Sequence, residues 1–184
     1  MIKTLYKIFQ RWSEKGSVYI ISDTHLDDDD RKQMGYLISE TEQIDIIKHI
    51  AHKNDTLIHL GDVGNPEYFK DIKAYKVLIL GNHDQGAEKF EPFFNEIYDG
   101  PLIISDKIIL SHEPIYGLDY MYNIHGHDHN PKNIGDNTHL NLAANVCWYI
   151  PKNLKDIISS GVLKDISNIH RVTIDRATAN KKIE

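Results

Sequence analysis

The strongest constraint on this chain is a short apolar run that ends at a glycine and then presents three polar side chains. The run is Leu78–Leu80, and Gly81 is followed by an amide, an imidazole and a carboxylate, from Asn82, His83 and Asp84. An apolar run bounded by turn residues is typical of a buried strand. Ligands of sheet proteins gather beyond the carboxyl ends of strands, so this segment predicts a strand that delivers polar groups to a site.

Four further segments have the same design, in which a buried strand is followed by Asp or His. They are Val18–Ser22 before Asp23 and His25, Thr56–Leu60 before Gly61 and Asp62, Ile108–Ser111 before His112, and Tyr122–His125 before Gly126, His127 and His129. Because all five runs end in potential ligands, we expect their ends to converge into one metal centre. His59 and His125 lie inside strands, which favours a structural role for both.

The composition is that of a globular protein, with 41% hydrophobic and 26% charged residues among 184. This length fits a single domain with its own core. The formal net charge of −6 argues against general affinity for a nucleic-acid backbone. A lone cysteine, Cys147, excludes an internal disulfide and a cysteine-based zinc site. The single cysteine fits a cytoplasmic protein. No apolar run reaches the roughly 20 residues of a spanning helix, so no membrane partner is expected.

Two segments near the amino terminus have less specific patterns. Residues 1–15 carry apolar side chains at helical spacing, which indicates an amphipathic helix docked on the domain. A dimer contact and a basic membrane-surface segment are the alternatives for this helix. The acidic run Asp27–Asp30 is typical of a solvated loop, although its position leaves room for one carboxylate to face the site.

Periodicity and turn residues predict the other elements of the fold. They are helices over Glu42–Lys53, Gln85–Asn95 (interrupted near Pro92) and Pro151–Ser160, a hairpin of Leu102–Ser105 and Lys107–Ser111, and strands over His139–Ala143, Val146–Ile150 and Arg171–Ile174.

The strand ends together offer oxygen and imidazole donors and no thiolate, which suits Mn, Fe, Zn, Ni or Co. The donors are Asp23, His25, Asp62, Asn82, His112, His127 and His129. These are too many ligands for one tetrahedral ion and suit two ions that share a carboxylate. Two neighbouring ions stabilise both the attacking and the leaving oxygen when a group on phosphorus is displaced. The positive charge of two cations would draw a phosphate into an otherwise acidic protein. The glycines before the ligands would let the backbone turn sharply.

These motifs, in this order along the chain, resemble the motif set of the calcineurin-like metallophosphoesterases. The matching segments are Asp23-x-His25, Gly61-Asp62, Gly81-Asn82-His83-Asp84, His112 and Gly126-His127-x-His129. The resemblance implies an α/β fold, a four-layer αββα sandwich of two mixed β-sheets flanked by helices. It also implies a dinuclear centre of divalent ions, with Mn the first expectation, that hydrolyses a phosphate ester.

The resemblance further implies two ligand sets that share one carboxylate. They are Asp23, His25, Asp62 and His129 for the first ion, and Asp62, Asn82, His112 and His127 for the second. His83 matches the catalytic histidine of the family, which does not bind metal but contacts the phosphate and stabilises or protonates the leaving oxygen. The implied nucleophile is a hydroxide that bridges the two ions.

The segment after Asp62 departs from the protein phosphatases of that family. Asn65 stands where those enzymes have an aspartate that orients the catalytic histidine, no arginine follows, and Asp84 replaces their usual glutamate. Asn65 and Asp84 are therefore candidates for substrate contact or for support of the site. The chain looks more like the small, cap-less bacterial, archaeal and phage phosphoesterases, whose substrate would be a phosphodiester or a small phosphomonoester.

Two alternative functions are compatible with the same motifs. A non-catalytic scaffold of the same fold is one, and retention of His83 with the whole ligand set argues against it. A nuclease is the other, and it would need a basic groove or an aromatic platform for the strand, which the sequence does not reveal. Nucleic acid is thus expected only as a substrate.

Overall fold

The computed structural model describes residues 11–12 and 14–166. Most of the predicted amino-terminal helix and the predicted strand Arg171–Ile174 lie outside these residues. The described chain forms two mixed β-sheets with a few helices. This is the α/β architecture that the resemblance implies, whereas the four-layer order of sheets and helices stays a prediction.

The first sheet has five strands in the order β4-β3-β2-β1-β9. Their bounds are Val18–Ile21 for β1, Thr56–His59 for β2, Tyr75–Ile79 for β3, Glu96–Tyr98 for β4 and Lys152–Asn153 for β9. The strands β1 to β4 are mutually parallel, and only β9 runs antiparallel to its neighbour β1. Because β1 and β2 are parallel neighbours, their carboxyl ends deliver the following loops to the same edge.

The second sheet has four strands in the order β5-β6-β7-β8. Their bounds are Leu102–Ile103 for β5, Ile108–Leu110 for β6, Tyr122–His125 for β7 and His139–Asn141 for β8. The pair β5 and β6 forms the predicted antiparallel hairpin, while β6, β7 and β8 are parallel. Ser22 joins the two sheets, because its N–H donates to Leu142 O at 3.0 Å and its carbonyl accepts from Ala144 N at 2.9 Å.

Within residues 14–166, two α-helices begin at residues that cap them. Helix α1 spans Glu40–Ile50, and Ser39 and Glu42 form a complete capping box at its start. Ile44 and Ile47 lie on its buried face. Helix α2 spans Leu154–Ser159. Short 3-10 helices span Asp29–Lys32, Pro66–Asp71 and Ala87–Lys89. No helix among the described residues is long and apolar enough to cross a membrane.

The prediction of a helix over Gln85–Asn95 is wrong for most of that segment. Only Ala87–Lys89 is helical, as a 3-10 turn that follows Gly86 at a φ of 74°. Pro92 lacks the N–H that an α-helix needs in its interior. The segment instead leads into β4, a strand that the sequence pattern did not predict.

Near the end of the described chain, one prediction is wrong and another is correct except for its first residues. Val146–Ile150, predicted as a strand, is a turn in which Val146 N and Cys147 N both donate to Ala143 O at 2.9 Å. The side chains of Val146, Cys147 and Tyr149 are buried without belonging to a sheet, whereas Trp148 and Ile150 are exposed. The helix predicted over Pro151–Ser160 starts three residues late, because Lys152–Asn153 pairs with β1 and the Asn153 side chain caps α2.

Candidate metal centre

The strand ends bring the predicted ligands together through loops of unusual backbone conformation. Asp23 and His25 follow β1, Asp62 follows β2 and His127 follows β7, and all four have a left-handed φ between 43° and 68°. Non-glycine residues avoid this region, and each such residue costs about 1–3 kcal/mol that the surrounding structure must offset. Strain of this kind clusters at functional sites, which singles out these loops.

Two glycines that precede predicted ligands are required by close contacts. A Cβ on Gly81 would lie 2.2 Å from Asp62 Oδ1, and a Cβ on Gly126 would lie 2.1 Å from Asp23 Oδ2. Neither glycine has a left-handed φ, so the sharp backbone turn expected from the sequence is the wrong explanation for them. Their role is to let the backbone approach a carboxylate.

The first group of potential ligands consists of Asp23, His25 and His129. Asp23 Oδ1 lies 3.7 Å from His129 Nε2 and 4.0 Å from His25 Nε2. The side chains of Asp23 and His25 are almost completely buried, and that of His129 is 22% exposed. A ligand atom from each lies within 4.8 Å of the others, a spacing that one cation can bridge.

The second group consists of Asp62, His112 and His127, with Asn82 beside it. Asp62 Oδ2 lies 3.3 Å from His112 Nε2, which in turn lies 3.2 Å from His127 Nδ1. Asn82 Oδ1 is 2.7 Å from His112 Nε2 and 3.1 Å from His127 Nδ1. The second group therefore combines one carboxylate, one amide oxygen and two imidazoles around one point.

Asp62 lies between the two groups. Its Oδ2 is 3.6 Å from His25 Nε2 in the first group and 3.3 Å from His112 Nε2 in the second. Ligands bound at about 2.1 Å to one ion lie roughly 3.0–3.5 Å apart, so this oxygen is spaced to serve both groups. Burial opposes ionisation of Asp62, but the hydrogen bond and charge of His112 lower its pKa to about 2, which keeps it a carboxylate at neutral pH.

Two buried atoms of the first group make no hydrogen bond with the described residues. They are Asp23 Oδ1 and His25 Nε2. Burial raises the pKa of Asp23 to about 6, because a charged carboxylate is unfavourable away from water. A divalent cation would satisfy the oxygen and the imidazole nitrogen at once. The residues present thus fit the metal that the ligand set implies.

Three histidine rings are held by hydrogen bonds on the side away from the site. The Nδ1 atoms of His25, His112 and His129 lie 3.0 Å from Asp28 Oδ2, 3.0 Å from Leu60 O and 3.1 Å from Asn145 Oδ1. These oxygens are acceptors, so each Nδ1 carries a proton and Nε2 faces the site, where it would offer its lone pair to a bound cation. Such partners fix the orientation of metal-binding histidines.

Sequence reasoning left Asp28 and Asn145 without a defined role and did not identify Arg31. Asp28 belongs to an acidic run, where nothing local distinguishes it from its neighbours. The Asn145 amide donates to Met34 O at 3.0 Å and to His129 O at 2.8 Å. Arg31 is buried and its guanidinium donates to the backbone carbonyls of the Asp23–His25 loop, at 3.3 Å for His25 O.

A buried network of hydrogen bonds links the loop after β1 to the loop after β2. The Thr24 hydroxyl donates to Val63 O at 2.9 Å, so it accepts from His59 Nε2 at 3.0 Å. His59 Nδ1 then accepts from Gly61 N at 3.2 Å. Burial lowers the pKa of His59 to about 3, which keeps the ring neutral. The structural role predicted for His59 is confirmed, and the network ties the loop after β1 to the loop after β2.

The three remaining candidates from the sequence have different surroundings. His83 is exposed. Its backbone N–H donates to Asp62 Oδ1 at 2.9 Å, and its ring centroid is 5.4 Å from that of His25. The Asp84 carboxylate accepts from the backbone of Asp62 at 2.7 Å and of Gly81 at 3.0 Å, so it supports the loops.

Asn65 is engaged by Asp27 and by the 3-10 helix that follows it. Its amide donates to Asp27 Oδ2 at 2.7 Å, and its carbonyl oxygen accepts from Glu67 N at 3.1 Å and caps the 3-10 helix that follows. Asp27 also accepts from the Tyr68 hydroxyl at 2.8 Å.

Comparison with known proteins gives two findings. The sequence profile of the calcineurin-like phosphoesterase superfamily domain matches residues 17–146. A solved structure from Aquifex aeolicus, of a protein of unknown function, is similar with a TM-score of 0.65 and 24% sequence identity over 78% of this chain and 98% of that one. That likeness shows the fold alone. No curated protein matches the chain significantly.

Proposed function

Because this chain belongs to the calcineurin-like phosphoesterase superfamily, we propose that it is a phosphohydrolase that works with two divalent cations. The proposed substrate is a phosphodiester or a small phosphomonoester. The observation that carries the proposal is Asp62 Oδ2, which lies 3.6 Å and 3.3 Å from the nearest imidazole nitrogens of two separate ligand groups. One shared carboxylate oxygen supports a pair of neighbouring ions.

The proposed ligand sets follow the two groups. They are Asp23, His25, Asp62 and His129 for the first cation, and Asp62, Asn82, His112 and His127 for the second. When bound, the two cations offset the charge of the phosphate and activate water for attack on phosphorus. Mn is proposed first, because the donors are carboxylate, amide and imidazole without thiolate, with Fe, Zn, Ni and Co as alternatives.

His83 is proposed as the catalytic residue that does not bind metal. It is exposed beside the first group, and its N–H donates to the carboxylate of Asp62, which fixes the backbone from which the ring reaches outward. A ring in this position can hydrogen-bond a phosphate oxygen and give a proton to the leaving oxygen. Asp84 and Asn65 contribute by holding the loops.

Hydrolysis of bis(p-nitrophenyl) phosphate and of p-nitrophenyl phosphate with Mn or Ni added tests the proposal. His83→Ala should lower kcat about 100- to 10 000-fold, the usual contribution of an acid or base, while calorimetry still shows two bound ions. His49→Ala, on the exposed side of α1, is the matched control and should keep full activity.

Other outcomes would support the alternatives. Two bound ions without hydrolysis of these compounds or of any nucleotide would refute the phosphohydrolase. Metal sites that stay empty at saturating metal, together with a copurifying partner protein, would favour a scaffold. Cleavage of single-stranded DNA or RNA that weakens with salt would favour a nuclease.

A further inference from the structure

A cavity of about 470 Å³ opens beside the second ligand group. Asn82 and His112 form part of its wall, so the cavity adjoins the place where the second ligand group would hold a phosphate. The volume lies within the range of small-molecule sites, roughly 300–1,000 Å³. The cavity is therefore large enough for the organic group of a small phosphate ester.

The charged side chains of the cavity have one sign. Asp99 and Glu113 line it and are exposed, and its lining within the described chain includes no Lys or Arg. With a net charge of −6 for the whole chain, the cavity repels a second anionic group on a substrate and attracts a positive one. The two proposed cations have the opposite charge and would bind the phosphate itself.

The rest of the wall is apolar and carries an aromatic ring. Leu80, Pro101 and Pro114 line the cavity. The ring of Tyr116 also lines it and is 75% exposed. Carboxylates beside apolar and aromatic surface are the chemistry that recognises alkylammonium groups, because the methyl and methylene groups pack while the charge meets the carboxylates and the ring face.

The loop that carries these groups is fixed by hydrogen bonds. The Glu113 carbonyl accepts from Ser111 Oγ at 2.6 Å, and Ile115 N donates to Asn123 Oδ1 at 2.8 Å. Ile115 O lies 3.0 Å from His139 Nε2, and the Tyr116 ring centroid is 5.1 Å from that of His139. The cavity wall is thus held in place before any substrate arrives.

We propose that this cavity receives the organic group of the phosphate ester and prefers a group with an alkylammonium charge over one with a second anion. The inference rests on the proposed phosphohydrolase function and names its substrate class. Asp99 and Glu113 determine the specificity, and Tyr116 provides the surface on which the cationic group packs.

Three phosphodiesters with the same p-nitrophenol leaving group test this proposal in the presence of Mn. They are p-nitrophenyl phosphorylcholine, methyl p-nitrophenyl phosphate and carboxypropyl p-nitrophenyl phosphate. We expect kcat/KM to be highest for the choline ester and lowest for the carboxylate ester, with a ratio on the order of tenfold between these two. The ratio should shrink as salt is added.

Charge-neutralising variants assign the preference to the cavity. The double variant Asp99→Asn with Glu113→Gln should lower kcat/KM for the choline ester and raise it for the carboxylate ester, so that the ratio falls about tenfold. Opposite changes for two substrates cannot result from general loss of folded protein. Asp45→Asn with Asp71→Asn removes the same charge at exposed positions elsewhere and should leave the ratio unchanged.

The outcomes separate this inference from the function on which it rests. If none of the three esters is hydrolysed but p-nitrophenyl phosphate is, the function stands and the inference about the cavity fails. If p-nitrophenyl phosphate and nucleotides also resist hydrolysis while two ions are bound, the proposed function fails. If all three are hydrolysed with equal kcat/KM, or if the cavity variant leaves the ratio as it was, the function stands and the cavity does not select the charge.

Discussion

The two ligand groups of the centre differ in how their polar atoms are satisfied by the protein. In the first group, Asp23 Oδ1 and His25 Nε2 are buried and have no hydrogen-bond partner among the described residues. In the second group, His112 Nε2 and His127 Nδ1 both lie within 3.1 Å of the carbonyl oxygen of Asn82. The first group therefore depends on a cation for its stability more than the second group does.

The difference also extends to what surrounds each group. Asp28 and Asn145 hold the two rings of the first group from behind, while His127 is exposed at the edge of the second. A buried and oriented set of donors loses little conformational freedom when a cation binds. We expect the first group to bind its ion more tightly, and the second ion to follow at higher metal concentration.

The largest expected effect comes from Asp23→Asn. This change should weaken the first ion strongly, yet raise the free energy of unfolding of the metal-free protein by about 3 kcal/mol at neutral pH, because the raised pKa of Asp23 corresponds to a disfavoured buried charge. Denaturant unfolding in the presence of a chelator measures the gain.

Asp62→Asn is the matched comparison for that experiment. The lowered pKa of Asp62 means that its charge stabilises the folded protein at neutral pH, so this change should lower the free energy of unfolding. Destabilisation by both amide variants would show that the two groups do not differ as described.

The next effect is that of Asp28→Asn. Asp28 Oδ2 is the charged acceptor for His25 Nδ1, at 3.0 Å. Its loss should lower the affinity for the first ion about 10- to 100-fold and leave the affinity for the second ion almost unchanged. Calorimetric titration with Mn resolves the two ions. Asp29→Asn is the control, because this neighbour is exposed, and equal weakening by both variants would argue for a general charge effect.

The smallest expected effect is that of Thr24→Val. This change removes the hydroxyl that donates to Val63 O and accepts from His59, and it should lower the free energy of unfolding by about 1–3 kcal/mol. The ratio of the two metal affinities should not change, since the network supports both loops. Thr24→Ser keeps the hydroxyl and should restore most of the stability, whereas an equal loss would point to packing of the methyl group.

The sequence predicted the structure correctly where a single segment contained both the apolar run of a strand and the polar residues that follow it. The run before Gly81 predicted a strand that ends beside polar residues, and β3 ends at Ile79. The prediction of strands from the sequence was wrong where an apolar segment does not belong to a sheet. Val146–Ile150 is as apolar as a strand, yet its backbone forms turns at Ala143 O.

The sequence by itself determined the order of strands that end in donors, the absence of thiolate among those donors and the resemblance to a family of phosphoesterases. Only the tertiary structure decided how far Asp62 lies from the imidazoles around it, that Asp28 of four consecutive aspartates holds His25, and that Arg31 lies buried against the backbone of the first loop. The reason is physical. Periodicity and turn residues act between near neighbours along the chain, whereas hydrogen bonds and burial depend on which distant segments meet.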